Sequence, residues 1–118
     1  MLITNKPERN YSAMQNNEQK VLSMLGLARR AGKLVTGEEL VLNAVRANKT
    51  NLVFLASDAG QATAKKVTDK TTFYNVPLVT TFTKQALNDA TGMARTIYGV
   101  SDAGFAKKIK QLINEKGV

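Results

Sequence analysis

The apolar positions change period along this chain, and the changes mark its elements. Val21, Leu22, Leu25 and Ala28 recur at helical spacing and predict a first helix over 17–31 with one apolar face. Asn16, with Gln19 three residues on, reads as its N-cap. Gly26 lies inside it at a cost of about 1 kcal/mol relative to alanine, which suggests a neighbour in close approach. Gly32 ends the helix in the left-handed conformation. After a brief extended segment over 33–36, Thr36 and Glu39 read as a capping box for a second helix over 37–47. Its buried face is expected to be Leu40, Val41, Ala44 and Val45, with Leu42 stranded among the polar residues Glu39, Asn43 and Arg46.

Leu52 to Ala56 is continuously apolar and bounded by Asn51 and Ser57-Asp58-Ala59-Gly60, the pattern of a strand buried on both faces. A third helix over 61–74 turns Ala64, Val67 and Phe73 or Tyr74 inward and Lys65, Lys66 and Lys70 outward, and Val76-Pro77 stops it. A strand over 78–81 follows. Thr83 then caps a short helix that ends at Gly92. A strand over 96–100 leads to a last helix, capped by Ser101 or Asp102, with Phe105, Ala106, Ile109, Leu112 and Ile113 inward. Helices alternating with short strands imply an α/β fold in three layers, α/β/α. Residues 1–15 show no sustained period and are expected to form a flexible tail on a single domain of 16–118.

Charge sharpens this picture. The chain carries 17 Lys and Arg against 9 Asp and Glu, a net charge of +8, which favours a polyanionic partner. A membrane fits less well, because no apolar run approaches bilayer length and no helix has a basic face from end to end. The chain has no cysteine and no histidine, which removes thiol nucleophiles and the commonest general base and metal ligand. The polar N-terminus lacks a secretory h-region, so the expected location is the cytoplasm. No catalytic residue, metal or cofactor is expected.

Three stretches carry candidate chemistry. The start of the second helix offers free N–H groups close to Arg29, Arg30, Lys33, Arg46 and Lys49, a place for phosphates. The loop over 90–96 combines Gly92, Met93, Ala94 and Arg95: a glycine lets backbone come close to a ligand, the apolar pair can pack on a base, and the arginine can hold phosphate. Asp58, just past a buried strand, occupies the place of a receiver-type phosphate acceptor, or simply caps a turn or helix. Neither a G-x-G-x-x-G nor a Walker A sequence occurs.

The order GK-LVTGEELVLNAVRANKTNLVFLASDA, then NVPLV, a glycine loop and SDAGFAKKI resembles the kink-turn RNA-binding ribosomal proteins, most of all their bacterial YlxQ-like branch, over about Leu22 to Ile113. The resemblance implies a three-layer α/β/α sandwich with a four-stranded mixed sheet. It also implies a Gly-x-Asn-Glu-x-x-Lys segment that reads sheared G·A pairs and holds phosphates, and an apolar loop over flipped-out bases. Carried over, the family glycine falls on Gly37, the variable position on Glu38, the asparagine on Glu39, the glutamate on Leu40 and the lysine on Asn43. Only the glycine is retained. The apolar loop corresponds to Gly92, Met93, Ala94, Arg95 and Thr96, and Lys33 matches the basic residue before the strand.

The expectation is therefore a non-catalytic, monomeric RNA-binding protein of the ribosome or its assembly, recognising a structured, kink-turn-like RNA. Lys33, Gly37, Glu38, Glu39, Asn43, Arg46, Gly92, Met93, Ala94 and Arg95 would form one dock. The rival is a protein-interaction module of the same fold that has lost strong RNA recognition, motivated by Glu39 and an exposed Leu42.

Overall fold

The computed structural model of the protein describes the backbone of residues 5–116 and the side chains of residues 17–114. Four strands form one sheet in the order β1-β4-β2-β3: β1 (Leu34–Thr36), β2 (Leu52–Leu55), β3 (Leu78–Val79) and β4 (Ile97–Val100). β4 runs antiparallel to β1 and β2, while β2 and β3 are parallel, so the sheet is mixed. The central strands β2 and β4 are buried at every residue, as the continuous apolar run in β2 requires.

The pleat sorts their side chains. Leu52, Phe54, Tyr98 and Val100 join a core with α1 (Asn5–Arg30), α4 (Lys84–Thr91) and α5 (Ala103–Lys116). Val53, Leu55 and Ile97 face the other way, toward α2 (Glu38–Arg46) and α3 (Gln61–Phe73). The expected three-layer sandwich around a four-stranded mixed sheet is the fold observed. Among the described residues no helix is long and apolar enough to cross a membrane.

Several local expectations change. α1 begins at Asn5 rather than near Asn17, so residues 5–15 are helical in backbone and Asn16 is not an N-cap; residues 1–4 lie outside the described residues. Pro7 sits in the first turn, where a missing N–H leaves no helical bond unmade. Asn17 is buried inside the helix, and its Nδ2 donates to the Leu112 carbonyl at 2.6 Å, joining α1 to α5. At the other end Gly32 adopts φ +73°, with Lys33 N donating to Ala28 O at 2.8 Å and Gly32 N to Arg29 O at 3.0 Å, the paired bonds of a Schellman end.

The capping box on α2 is absent. Thr36 belongs to β1, and Gly37 is the N-cap, at φ +92° and ψ 150°, with no side-chain cap. That backbone conformation is one a Cβ resists, and it lets the chain reverse from β1 into α2 while Gly37 N still donates to Ile97 O at 3.1 Å. The buried face of α2 is also rotated, by roughly 80° at 100° per residue. Val41, Leu42 and Val45 are buried, and Leu40, expected inside, is 61% exposed. The cause is α3, which packs alongside α2 and covers the flank that carries Glu38 and Leu42. On α3 itself Phe73 is exposed, and Tyr74 packs on the core instead.

Candidate nucleic-acid interface

At the end of the sheet where β2 and β3 finish and β4 begins, four connections meet around a groove of about 440 Å³. It is lined by Gly37 and Glu38 from the start of α2, Asp58, Ala59, Gly60 and Thr63 around the start of α3, Lys84 from α4, and Ala94 to Ile97 leading into β4. Two helix N-termini open here, and neither is capped by a side chain: α2 starts at Gly37 and α3 at Gly60. Their first-turn N–H groups, at the positive ends of two helix dipoles, favour an anion.

The third helix start at this end is closed. Thr83 Oγ1 accepts from Ala86 N at 3.2 Å, and Asp58 Oδ1 accepts from Lys84 N at 2.9 Å. Asp58 is thus a helix cap, the plainer of its two expected roles. Glu38 is likewise engaged: its carboxylate meets Lys66 Nζ at 2.8 Å and accepts from Thr63 Oγ1 at 3.3 Å. The hydrogen bond from Lys66 holds the Glu38 carboxyl below its ordinary range. Lys66 offsets the charge of Glu38, whereas Asp58 keeps its own, since its partner is a neutral amide; Lys84 and Arg95 outweigh it and leave the groove weakly positive.

The loop that presents Arg95 is held by three buried or half-buried polar residues. Asn88 Oδ1 accepts from Arg95 N at 2.9 Å and from Tyr98 OH at 2.7 Å. Thr91 Oγ1 lies 3.2 Å from that hydroxyl and donates to Leu87 O at 2.9 Å. Arg95 spends one guanidinium donor, Nη1, on Ala94 O at 3.0 Å; its side chain is exposed. The loop is therefore fixed in backbone while its cation faces solvent.

The ten expected site residues separate. Gly37, Glu38, Ala94 and Arg95 come together in the groove. Glu39 and Asn43 are exposed on the outer face of α2, beside Leu40. Lys33 does not join them: its carbonyl accepts from Ser101 N at 2.9 Å and Oγ at 3.1 Å, at the far end of β4. Thr96 and Ser101 are about 16 Å apart by the rise of a strand. Arg46 closes the far end of α2, about 13 Å from Gly37 by helical rise, and donates to Asn43 Oδ1. Met93 packs half-buried against the core, and Gly92 is the left-handed end of α4, so neither lines the groove. The single dock expected from the sequence is thus a smaller groove at one end of the sheet, with Lys33 and Arg46 beyond it.

Lys84, Gly60 and Thr63 were missed, and so was the exposed Leu40. A positional signal was present for the first three. They follow β2 and β3, and ligands of α/β sheets bind beyond the carboxyl ends of parallel strands.

The fold places the chain among small three-layer α/β/α proteins with a mixed four-stranded sheet. It belongs to the ribosomal protein L7Ae/L30e/S12e/Gadd45 family, whose sequence model matches residues 19–110. It is 46% identical over 99 residues to the RNA-binding protein YlxQ of Enterococcus faecium, covering 84% of this chain and 96% of that one. It is 44% identical over 92 residues to the RNA-binding protein YlxQ of Bacillus subtilis (strain 168), covering 77% and 92%. Among solved structures, a protein of unknown function from Bacillus halodurans C is 47% identical with a TM-score of 0.77, over 80% of this chain and 97% of that one. The Giardia lamblia 15.5kD RNA binding protein shares the fold at 16% identity, with a TM-score of 0.73 over 86% and 88%.

Proposed function

We propose that this protein is a non-catalytic RNA-binding protein that takes a bent, structured RNA at the groove. The observation that carries the reading is the meeting of two uncapped helix N-termini with Lys84 and Arg95 at one end of the sheet. It is supported by 44–46% identity to two proteins named for RNA binding. Lys84, Arg95 and the first-turn N–H groups of α2 and α3 hold phosphates. Glu39 accepts from base amino groups, and Leu40 and Ala94 cover splayed bases. A kinked RNA suits a groove whose donors converge from several connections, since its backbone changes direction within the site. The proposed setting is the cytoplasm, with the ribosome or its assembly as the source of the RNA and a monomer as the acting species. Burial of Leu42 removes one of the two motives for the protein-interaction alternative.

The test is a titration with a fluorescently labelled kink-turn, a straight duplex and total ribosomal RNA, at about 50 and 200 mM salt. Preferential binding of the kink-turn, weakening steeply with salt, is the expected result. Equal binding of kinked and straight duplexes would overturn the reading.

A further inference from the structure

One surface feature lies outside the groove and is not used by it. Phe73, at the last turn of α3, is 75% exposed, the most exposed large apolar side chain among the described residues. It is not loose. Its ring meets that of Tyr74 edge-on, with centroids 4.9 Å apart and planes at 80°, and Tyr74 packs on the core. The backbone beneath is also fixed: Asn75 adopts φ +60°, and Val76 N donates to Thr71 O at 2.8 Å. Lys66, Asp69 and Lys70 complete a shallow pocket of about 390 Å³ around the two rings.

Charge gives this pocket a sign. Asp69 pairs with Lys65 at 2.9 Å, and Lys66 pairs with Glu38. Lys70 makes no ion pair among the described residues. It stands one turn from Phe73 and Tyr74 on the same face of the helix. An exposed aromatic ring packed edge-on against its neighbour, beside an uncommitted cation, combines a stacking surface with a phosphate partner.

Position gives it an occupant. Thr63 lines the groove, and Thr63, Lys66, Lys70 and Phe73 or Tyr74 follow at intervals of three or four along one face of α3. This stripe leads from Gly60 to Phe73 over 13 residues of helix, about 20 Å. We infer that an unpaired strand leaving the RNA bound in the groove runs along α3, with Lys70 beside its backbone and one base stacked on Phe73. This inference rests on the groove being the RNA site. It adds a second recognition element, for single-stranded RNA flanking the structured part.

The chain contains no tryptophan, so Phe73→Trp installs a unique fluorophore at the platform. The probes are a bulged RNA duplex, the same duplex extended at either end by about eight uridines, and the uridine oligonucleotide alone. In the wild type one extension should raise affinity about tenfold, as one stacked base does. Phe73→Ala should remove that gain and leave binding of the unextended duplex unchanged. Phe73→Trp should keep the gain, and its emission should be quenched in parallel with binding of the extended probe. No gain from either extension, or unchanged emission at saturation, would overturn the inference while leaving the groove standing. If the bulged duplex binds no better than a straight duplex added as a control, the groove reading fails and this inference falls with it, an outcome distinct from the absence of a gain on extension. A concentration-dependent emission change without RNA would assign Phe73 to a second copy of the chain and overturn the RNA proposal.

Discussion

Glu38 on α2 and Lys66 on α3 pair at 2.8 Å, and this contact fastens the first turn of α2 to its neighbour beside the groove. It settles two things together. It neutralises an acid that would otherwise repel phosphate, and it marks the flank of α2 that α3 covers, one turn before buried Leu42. The orientation of α2, and therefore which side chains it offers to a ligand, follows from this packing more than from its own periodicity.

The pair should be visible in the pH dependence of stability. The Lys66 ammonium holds the Glu38 carboxyl below 4.5, with desolvation opposing and Thr63 assisting. A carboxyl depressed in the folded state stabilises the fold above its unfolded value and ceases to do so as pH falls through its folded value. The denaturation midpoints of wild type and Glu38→Gln should therefore differ near neutral pH and converge in acid below 4.5. The gap is expected to be small and to shrink with salt, because Lys66 is exposed and Glu38 only half-buried. A gap that persists unchanged into acid would show that the pair does not contribute through its charge.

The two ends of the sheet should behave differently toward RNA. Arg95→Ala and Lys84→Ala remove exposed cations from the groove. Each should weaken binding roughly tenfold and lower the salt slope by about 1. Lys33→Ala removes an equally exposed cation from the far end of β1 and should change neither quantity. Salt-dependent titrations of the three variants decide the matter. A loss for Lys33→Ala matching that for Arg95→Ala would restore the broader dock suggested by the sequence.

The rotation of α2 separates its leucines. Leu42 is buried in the α2–α3 core, so Leu42→Ala should cost about 2–5 kcal/mol in chemical denaturation. Leu40→Ala should change stability by less than about 0.5 kcal/mol and weaken RNA binding, because it removes the apolar cover over a base. Stability losses in the reverse order would mean that the helix faces the other way.

The sequence could be read furthest where a single neighbour decided the outcome. The uninterrupted apolar run in β2, the Thr83 cap and the inward residues of α5 each depend on one face or one local bond, and each is seen as expected. It could not be read where two neighbours compete. Five of the six residues from Leu40 to Val45 are apolar, so periodicity alone permits several buried arcs, and α3 selects one. The candidate site suffered similarly. Lys33 and Gly37 are neighbours in sequence, but β1 carries them to opposite ends of itself. Lys84 is 47 positions from Gly37, and only the sheet brings them to one groove.

Gly26 links packing to the site. A methyl built there would lie 2.6 Å from the Ala90 carbonyl oxygen, a backbone atom of α4 that cannot swing aside. Alanine is favoured over glycine within a helix by about 1 kcal/mol. Forcing a methyl into filled space typically costs about 1–3 kcal/mol, with the upper part of that range expected when the obstacle is another helix's backbone. Gly26→Ala should therefore destabilise by about 1–2 kcal/mol net, readable in the denaturation midpoint. The displacement should also travel. α4 carries Asn88, whose side-chain oxygen holds Arg95 N at 2.9 Å and Tyr98 OH at 2.7 Å. Pushing α4 outward loosens that hold, so RNA affinity should fall in conditions where the variant remains folded, although Gly26 does not line the groove. A variant that gains stability, or loses it without any change in RNA binding, would show that α4 does not position the Arg95 loop.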